Sequence, residues 1–235
     1  MKLFVLAGGF GSRLRSVVSN VPKPMAPVGE VPFLYHQLNN WKSQGINEFL
    51  FLLYHQAEQI IDFLESEKHG ILEGCTFEVV VEPEPLDTGG AVFHAIKQSG
   101  YQGAFLVTNA DTWLGSDIQN VICAGSPSIG VVQLEDCSRY GNVIVDGKSR
   151  VTAFQEKQDA AGPGLINAGL YQLDTSLFEH ESRNSFSLER DFFPDLVLKG
   201  SLKAVKMDAP FFDIGVPADY QRFNNWFASG AKEGL

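Results

Sequence analysis

The first half of the chain alternates between apolar runs too short for helices and segments with a helical apolar period. That alternation narrows the available folds more than any other feature. "KLFVLA", "EFLFLL", "TFEVVVE" and "AFLVTNAD" read as buried or half-buried strands. Between them, a helix starts near Pro32 and runs through "FLYHQLNNWKSQ" to Gly45. "AEQIIDFLESE" is amphipathic, and "TGGAVFHAIKQSG" runs from a Thr88 cap to Gly100. Strands separated by helices predict a mostly parallel, doubly wound sheet. After about residue 115 the character changes to strands and a hairpin. These are "SIGVVQL", "GNVIVDGKSRVTAFQE" with an Asp146-Gly147 turn, and "LINAGLYQL". A helix in "LERDFFPDLVLKG", the strand "LKAVKM" and a helix in "PADYQRFNNWFASG" close the chain. The expected class is α/β: one Rossmann-like domain over residues 1–235 with a mixed, mostly parallel sheet. A nucleotide-binding half ends near residue 115, and a β-rich second half follows.

The 235 residues suffice for one such domain. A formal net charge of −10 opposes nucleic-acid or anionic-membrane binding, which needs a basic face, but leaves room for a small polyanion. Cys75, Cys123 and Cys137 lack CxxC spacing and read as free thiols in a reducing compartment. The opening "MKLFVLAGG" is too short for a signal peptide, and no apolar run approaches the ~18 residues a membrane span needs, so a cytoplasmic protein is expected. The histidines show no metal-ligand spacing, and the near-helical aromatic residues of "FLYHQLNNW" and "DYQRFNNWF" read as core packing.

The first strand runs into "LAGGFGSRL", Leu6 to Leu14. Gly8, Gly9 and Gly11 allow backbone N–H groups to approach phosphate oxygens with no Cβ in the way. The Walker pattern is absent, and a dinucleotide fingerprint would need its third glycine at Leu14, which weakens an NAD-dependent oxidoreductase. Alone, the loop is equally compatible with a tight turn that binds nothing. The next segment, "SNVPKPMAPVGEVPFL", holds Lys23 between two prolines that stiffen the backbone on both sides. A glycine loop, Arg13 and a clamped Lys23 in one short window point to an anionic ligand.

"LAGGFGSRL…PKPMAPV" resembles the signature of the sugar-1-phosphate nucleotidyltransferases, or sugar-nucleotide pyrophosphorylases. The similarity continues through "EPEPLDTGGAV", "NAD", "RYGNV", "FQEK", "GLINAGLY" and "FFDIGVPADY". The set "RSVVSNVPKPMAPV", "GLINAGLY" and "DIGVPADY" is most similar to the D-glycero-D-manno-heptose 1-phosphate guanylyltransferases. The resemblance implies a GT-A-like fold whose β-rich part binds sugar. It also implies transfer of a nucleotidyl group from GTP to D-glycero-α-D-manno-heptose 1-phosphate, releasing pyrophosphate and supplying a nucleotide sugar for surface polysaccharide. The implied partners are a nucleoside triphosphate and a sugar 1-phosphate, with Mg²⁺ and without nucleic acid or membrane, and a homo-oligomer is compatible.

By resemblance, Leu6, Ala7, Gly8, Gly9, Gly11 and Ser12 cradle the nucleotide. Arg13 takes the leaving pyrophosphate, and Lys23 stabilises charge at the α-phosphate. Glu82, Asp87, Thr88, Gly89 and Asn109 border base and ribose, with Glu82 able to accept from two adjacent guanine N–H donors. Asp111 and Asp213, about 100 residues apart, fall where the family places its metal ligands. Gly141, Glu156, Lys157 and Asn167 match sugar-phosphate contacts, and Arg139 is a looser candidate equally explained as a surface charge.

Two departures matter. Ala110 stands where the family has glycine, and Asp87 replaces the glycine of the guanylyltransferase "LGTGGA". A similar acidic residue occurs in uridylyltransferases acting on amino-sugar phosphates, which keeps UTP open as a substrate. A catalytically silent nucleotide-binding regulator is the rival from another class, opposed by retention of Arg13, Lys23, Asp111 and Asp213 together.

Overall fold

The computed structural model describes residues 1–14, 16–155 and 162–230. The chain is α/β with a mostly parallel mixed central sheet. It forms two compact units, and each draws on separate stretches of sequence. The first comprises residues 1–85, 108–116 and 210–235, and the second residues 86–107 and 117–209. The strand Ala104–Asn109 runs through a boundary between them. Among the described residues, no helix is long and apolar enough to cross a membrane.

In the first unit, Leu3–Leu6, Glu48–Leu53 and Thr76–Val81 pair in parallel, with Leu3 beside Phe49 and Phe49 beside Phe77. Leu3, Phe4 and Val5 are wholly buried, as are Phe49, Leu50 and Phe51, which explains runs with no polar alternation. The helix Phe33–Ser43 begins immediately after Pro32, as expected. Two of its polar side chains reach a neighbouring strand. Gln37 Nε2 donates to Thr112 O at 2.5 Å and Asn40 Nδ2 to Leu114 O at 2.6 Å, so the helix holds the strand Thr112–Leu114 by its backbone. On that strand lies Phe211–Asp213, antiparallel, with Phe212 opposite Trp113 and Asp213 opposite Thr112. The helix Pro217–Ala228 follows, its proline at a position that has no N–H to satisfy. Leu14, Val18, Ala26, Phe33, Trp113, Phe212 and Phe223 form one buried cluster. Phe223 sits at its centre, with ring centroids 5.0 Å from Phe33, 5.3 Å from Trp113 and 5.4 Å from Phe212.

In the second unit, Ser128–Leu134 pairs antiparallel with Gly164–Asp174 and parallel with Lys203–Met207. Asn142–Val145 and Val151–Gln155 form the expected hairpin around Asp146. The Asp146 carboxylate accepts from the Lys148 and Arg150 N–H groups and from Arg150 Nε. The long strand Gly164–Asp174 slips register between Asn167 and Tyr171, where Gly169 has φ 71°. Two elements differ from expectation. The helix Asp87–Ser99 is not capped by Thr88: Leu86 precedes it without a side-chain cap, and the Thr88 hydroxyl is drawn to residues 188 and 189 instead. The helix in "LERDFFPDLVLKG" opens as a π-helical turn, Leu188–Phe192, before the α-helix Phe193–Leu198.

Candidate active site

The three loop glycines meet different surroundings. A Cβ on Gly8 would lie 2.8 Å from Glu82 Oε1 and 3.1 Å from Tyr54 Cβ, so protein packing excludes a side chain there. Gly11 has φ +64°, and a Cβ on it would lie 2.9 Å from Lys23 Cγ. Gly9 is exposed, and a Cβ on it would meet nothing within 4 Å among the described residues. Protein contacts thus account for two of the three. The space over Gly9 is where a ligand could come close to the backbone.

The loop is anchored behind by Ala7 N–H on Leu52 O at 2.9 Å. Ahead it turns through Leu14 N–H on Gly11 O at 3.0 Å, with Leu14 buried in the aromatic cluster. Ser12 and Arg13 are exposed between these anchors. Lys23 opens a single 3₁₀ turn, Lys23–Met25, after Pro22 at φ −65°. Met25 N–H on Pro22 O, Ala26 N–H on Lys23 O and Phe33 N–H on Ala26 O close it. The proline clamp read from the sequence therefore holds a rigid turn, and the Lys23 stem lies along Gly11.

Lys23 Nζ donates to Asp111 Oδ2 at 2.7 Å, a pairing the sequence did not suggest. Asp213 reaches the same place because its strand lies against Thr112–Leu114 and Ile214 N–H donates to Asp111 O at 2.9 Å. Burial, then the charge of Asp111, pushes the Asp213 carboxyl above the usual aspartate range. The Gly215 N–H, Lys23 and Arg13 pull the other way. Gly215 is a site residue that the sequence reading passed over. Its N–H donates to Asp213 Oδ1 at 2.8 Å, and a Cβ on it would lie 2.7 Å from that oxygen and 3.1 Å from Lys23 Nζ. The only sequence signal was a glycine two places after the aspartate in "DIG".

Glu82 is 8% exposed and directly follows the strand Thr76–Val81, its N–H on Leu53 O. Ala110 is buried with its N–H on Leu6 O, and Asn109 is half-buried at the end of its strand. The first unit therefore gathers the glycine loop, Arg13, Lys23, Glu82, Asn109, Asp111 and Asp213.

The second unit holds the remaining candidates. The Asp87 carboxylate accepts from Arg190 Nη2 at 2.5 Å and from the Thr88 N–H at 2.8 Å. Gly89 and Gly90 both donate backbone N–H to Phe186 O. A Cβ on either would lie 2.3 Å from this segment, at Phe186 Cε2 and Asn184 O respectively, so packing requires both glycines. Gly141 has φ 82° with its N–H on Cys137 O, and the Arg139 guanidinium lies over the Tyr140 ring. Asn167 Nδ2 donates to the Tyr171 hydroxyl, and its Oδ1 accepts from Gly169 N–H. Glu156 and Lys157 lie outside the described residues.

A glycine loop after the first parallel strand, with a lysine and two carboxylates gathered beside it, is the equipment of a phosphate-handling α/β enzyme. The chain belongs to the nucleotidyl transferase family, whose model matches residues 2–229. Among its relatives is the D-glycero-alpha-D-manno-heptose 1-phosphate guanylyltransferase of Campylobacter jejuni, 34% identical over 229 residues, 95% of this chain and 98% of that protein. The protein of the same name from Aneurinibacillus thermoaerophilus is also 34% identical, over 94% of this chain and 96% of its own. Among solved structures, HddC from Yersinia pseudotuberculosis superposes with a TM-score of 0.85 at 34% identity, covering 96% of this chain and 99% of that one. A second structure of HddC is complexed with GMP-PN.

Proposed function

We propose that the protein joins a sugar 1-phosphate to GTP, D-glycero-α-D-manno-heptose 1-phosphate being the sugar substrate, and releases GDP-heptose and pyrophosphate. The observation that carries this reading is the meeting of Lys23, Asp111 and Asp213 beside a glycine loop whose Gly9 is open. The choice of heptose and guanine is supported by the names of the relatives that match nearly end to end.

In the reaction an oxygen of the sugar phosphate attacks the α-phosphorus. The bond from that phosphorus to the bridging oxygen of the β-phosphate breaks, and its electron pair leaves with pyrophosphate. No protein atom forms a bond, so the work is positioning and charge stabilisation. Backbone N–H groups around Gly9 would hold the triphosphate. Arg13 would meet the charge growing on the leaving group, and Lys23, released from Asp111, the charge on the α-phosphate. Asn167, Gly141, Glu156 and Lys157 would receive the sugar phosphate.

Asp111 and Asp213 fit Mg²⁺: they are hard oxygen donors, and a shared cation would offset the burial and the Asp111 charge that raise the Asp213 carboxyl. Among the described residues no group of three or more His, Cys, Asp or Glu could hold a metal, so phosphate and water oxygens would complete its shell. When bound, the ion would neutralise phosphate charge. The product is a glycosyl donor for surface polysaccharide, made in the cytoplasm where nucleoside triphosphates are held.

The test crosses GTP, ATP, CTP, UTP and dTTP with heptose, mannose, glucose and amino-sugar 1-phosphates and measures pyrophosphate release. Turnover with GTP and the heptose phosphate above every other pair is expected. UTP with an amino-sugar phosphate in first place would replace the substrate pair, and no release from any pair would leave a nucleotide-binding regulator.

A further inference from the structure

Glu189, at the start of the π-helical turn, has no role above and organises a polar chain that reaches Thr88 and Asn167. Its Oε2 accepts from the Thr88 hydroxyl at 2.9 Å and the Ser187 hydroxyl at 2.8 Å, and its Oε1 accepts from the Tyr171 hydroxyl at 2.9 Å. Tyr171 is fully buried. Burial, then the Glu189 charge, pushes its phenol well above the ordinary tyrosine value, so it keeps its proton and donates. The phenol oxygen accepts from Asn167 Nδ2 at 2.9 Å, and Asn167 Oδ1 accepts from Gly169 N–H at 2.9 Å. On the other branch, the Thr88 hydroxyl accepts from Leu188 N–H at 2.8 Å.

A carboxylate can only accept, so it sets the direction of every bond that reaches it. Tyr171 and Thr88 must each turn their proton toward Glu189 and a lone pair away. The lone pair of Tyr171 then requires a donor, which selects the NH₂ end of the Asn167 amide over its carbonyl end. Asn167 is left with one N–H and one carbonyl lone pair in a fixed orientation. Thr88 is left with no hydroxyl proton for a ligand. Its service is to fasten the first turn of the helix Asp87–Ser99 to residues 187–189.

We propose that Glu189 is a positioning residue with two outputs. Through Tyr171 it fixes the Asn167 amide for sugar hydroxyls, and through Thr88 it fixes the helix turn whose backbone borders the nucleotide. This rests on the assignment of Asn167 to the sugar phosphate and of Thr88 and Gly89 to the nucleotide. A glutamine at 189 keeps the size but can donate, so Tyr171 is free to reverse and the Asn167 amide to flip.

The test uses the full-length protein and compares KM for each substrate with kcat and Tm. Tyr171→Phe keeps the ring that packs on Phe193, centroids 4.9 Å apart, and removes only the hydroxyl. It should raise KM for the sugar 1-phosphate about tenfold and leave KM for GTP within about twofold. Glu189→Gln should raise both KM values. Ser187→Ala deletes a hydroxyl bonded to the same carboxylate but on neither branch, and should leave both KM values unchanged whatever it does to Tm. A purely structural network would make KM follow Tm in all three variants, and that pattern overturns the proposal, as does Tyr171→Phe raising both KM values equally. Wild-type protein that turns over no sugar 1-phosphate would remove the functional reading and this inference together. Normal wild-type turnover with Tyr171→Phe kinetically identical to Ser187→Ala would remove the inference alone.

Discussion

At the scale of one residue, Gly9 is the loop glycine whose open space we assign to the ligand. Its neighbours Gly8 and Gly11 are required by Glu82, Tyr54 and Lys23, whereas nothing among the described residues forbids a methyl on Gly9. Gly9→Ala should therefore leave Tm unchanged or slightly higher, because alanine loses less backbone freedom on folding, while raising KM for the nucleotide about tenfold. Thermal melting beside steady-state kinetics checks this, and a Tm loss equal to that of Gly8→Ala would assign Gly9 to packing. Asp213 gives the converse case. Its folded-state pKa is raised, so the folded metal-free protein binds this proton more tightly than the unfolded chain does. Its charge therefore costs stability at neutral pH, and the cost fades as pH falls from the raised value toward the ordinary 3.8. Asp213→Asn should raise the Tm of metal-free protein at pH 7 by about 2–4 °C, roughly 1 kcal/mol in a chain of this size. It should also flatten that part of the acid profile and abolish the extra stabilisation by Mg²⁺ with nucleotide. A lower Tm at pH 7 would show that Gly215, Lys23 and Arg13 outweigh the burial and the Asp111 charge.

Secondary elements were legible where one physical cause set the pattern. The strands Leu3–Leu6 and Glu48–Leu53 are buried on both faces, so their unbroken apolar runs announced them. The prolines before Phe33 and at the start of Pro217–Ala228 marked helix starts because proline lacks an N–H that those positions leave unbonded anyway. The errors came where a distant partner overruled a local rule. Thr88 fits a capping position, but Glu189 and Leu188, a hundred residues later, take its hydroxyl. The π-helical turn at Leu188–Phe192 likewise reflects what residues 187–189 must reach, and no periodicity shows it. Lys23, Asp111 and Asp213 could be picked out singly, but their convergence depends on the ladder between Thr112–Leu114 and Phe211–Asp213. That ladder rests on the aromatic cluster, which gives the element-scale prediction. Phe223→Ala removes a ring buried against Phe33, Trp113 and Phe212 and should cost about 3–5 kcal/mol by chemical denaturation. At temperatures where the variant remains folded, kcat should fall as the strand bearing Asp213 loosens. Phe223→Leu should recover most of both, and a variant that loses stability but keeps wild-type kcat would uncouple the cluster from the site.

Across the whole molecule, the scaffold and the substrate choice are written at different densities. The family model matches nearly the entire chain, whereas the base must be read by a few groups. Each compact unit draws on separate stretches of the sequence. Residues 108–116 and 210–235 join the N-terminal stretch, and local period carries no label for the unit a segment will enter. For the base, the structure puts the Glu82 carboxylate in the same unit as the glycine loop, close enough to Gly8 to exclude a methyl there. A triphosphate cradled by that loop would bring its nucleoside near this buried charge. Guanine offers N1–H and N2–H₂ side by side to a carboxylate, whereas adenine sets the N1 lone pair against it. A buried charge left facing an acceptor costs several kcal/mol, against about 1–3 for a merely lost bond. GTP should therefore exceed ATP in kcat/KM by at least about 10², and Glu82→Gln should erode that ratio more than it slows GTP, because an amide can also serve adenine. Uracil offers only N3–H, so it gains one bond where guanine gains two. A wild-type preference for UTP over GTP would transfer base reading to other groups, Asp87 first among them once freed from Arg190, and leave the roles of Lys23, Asp111 and Asp213 standing.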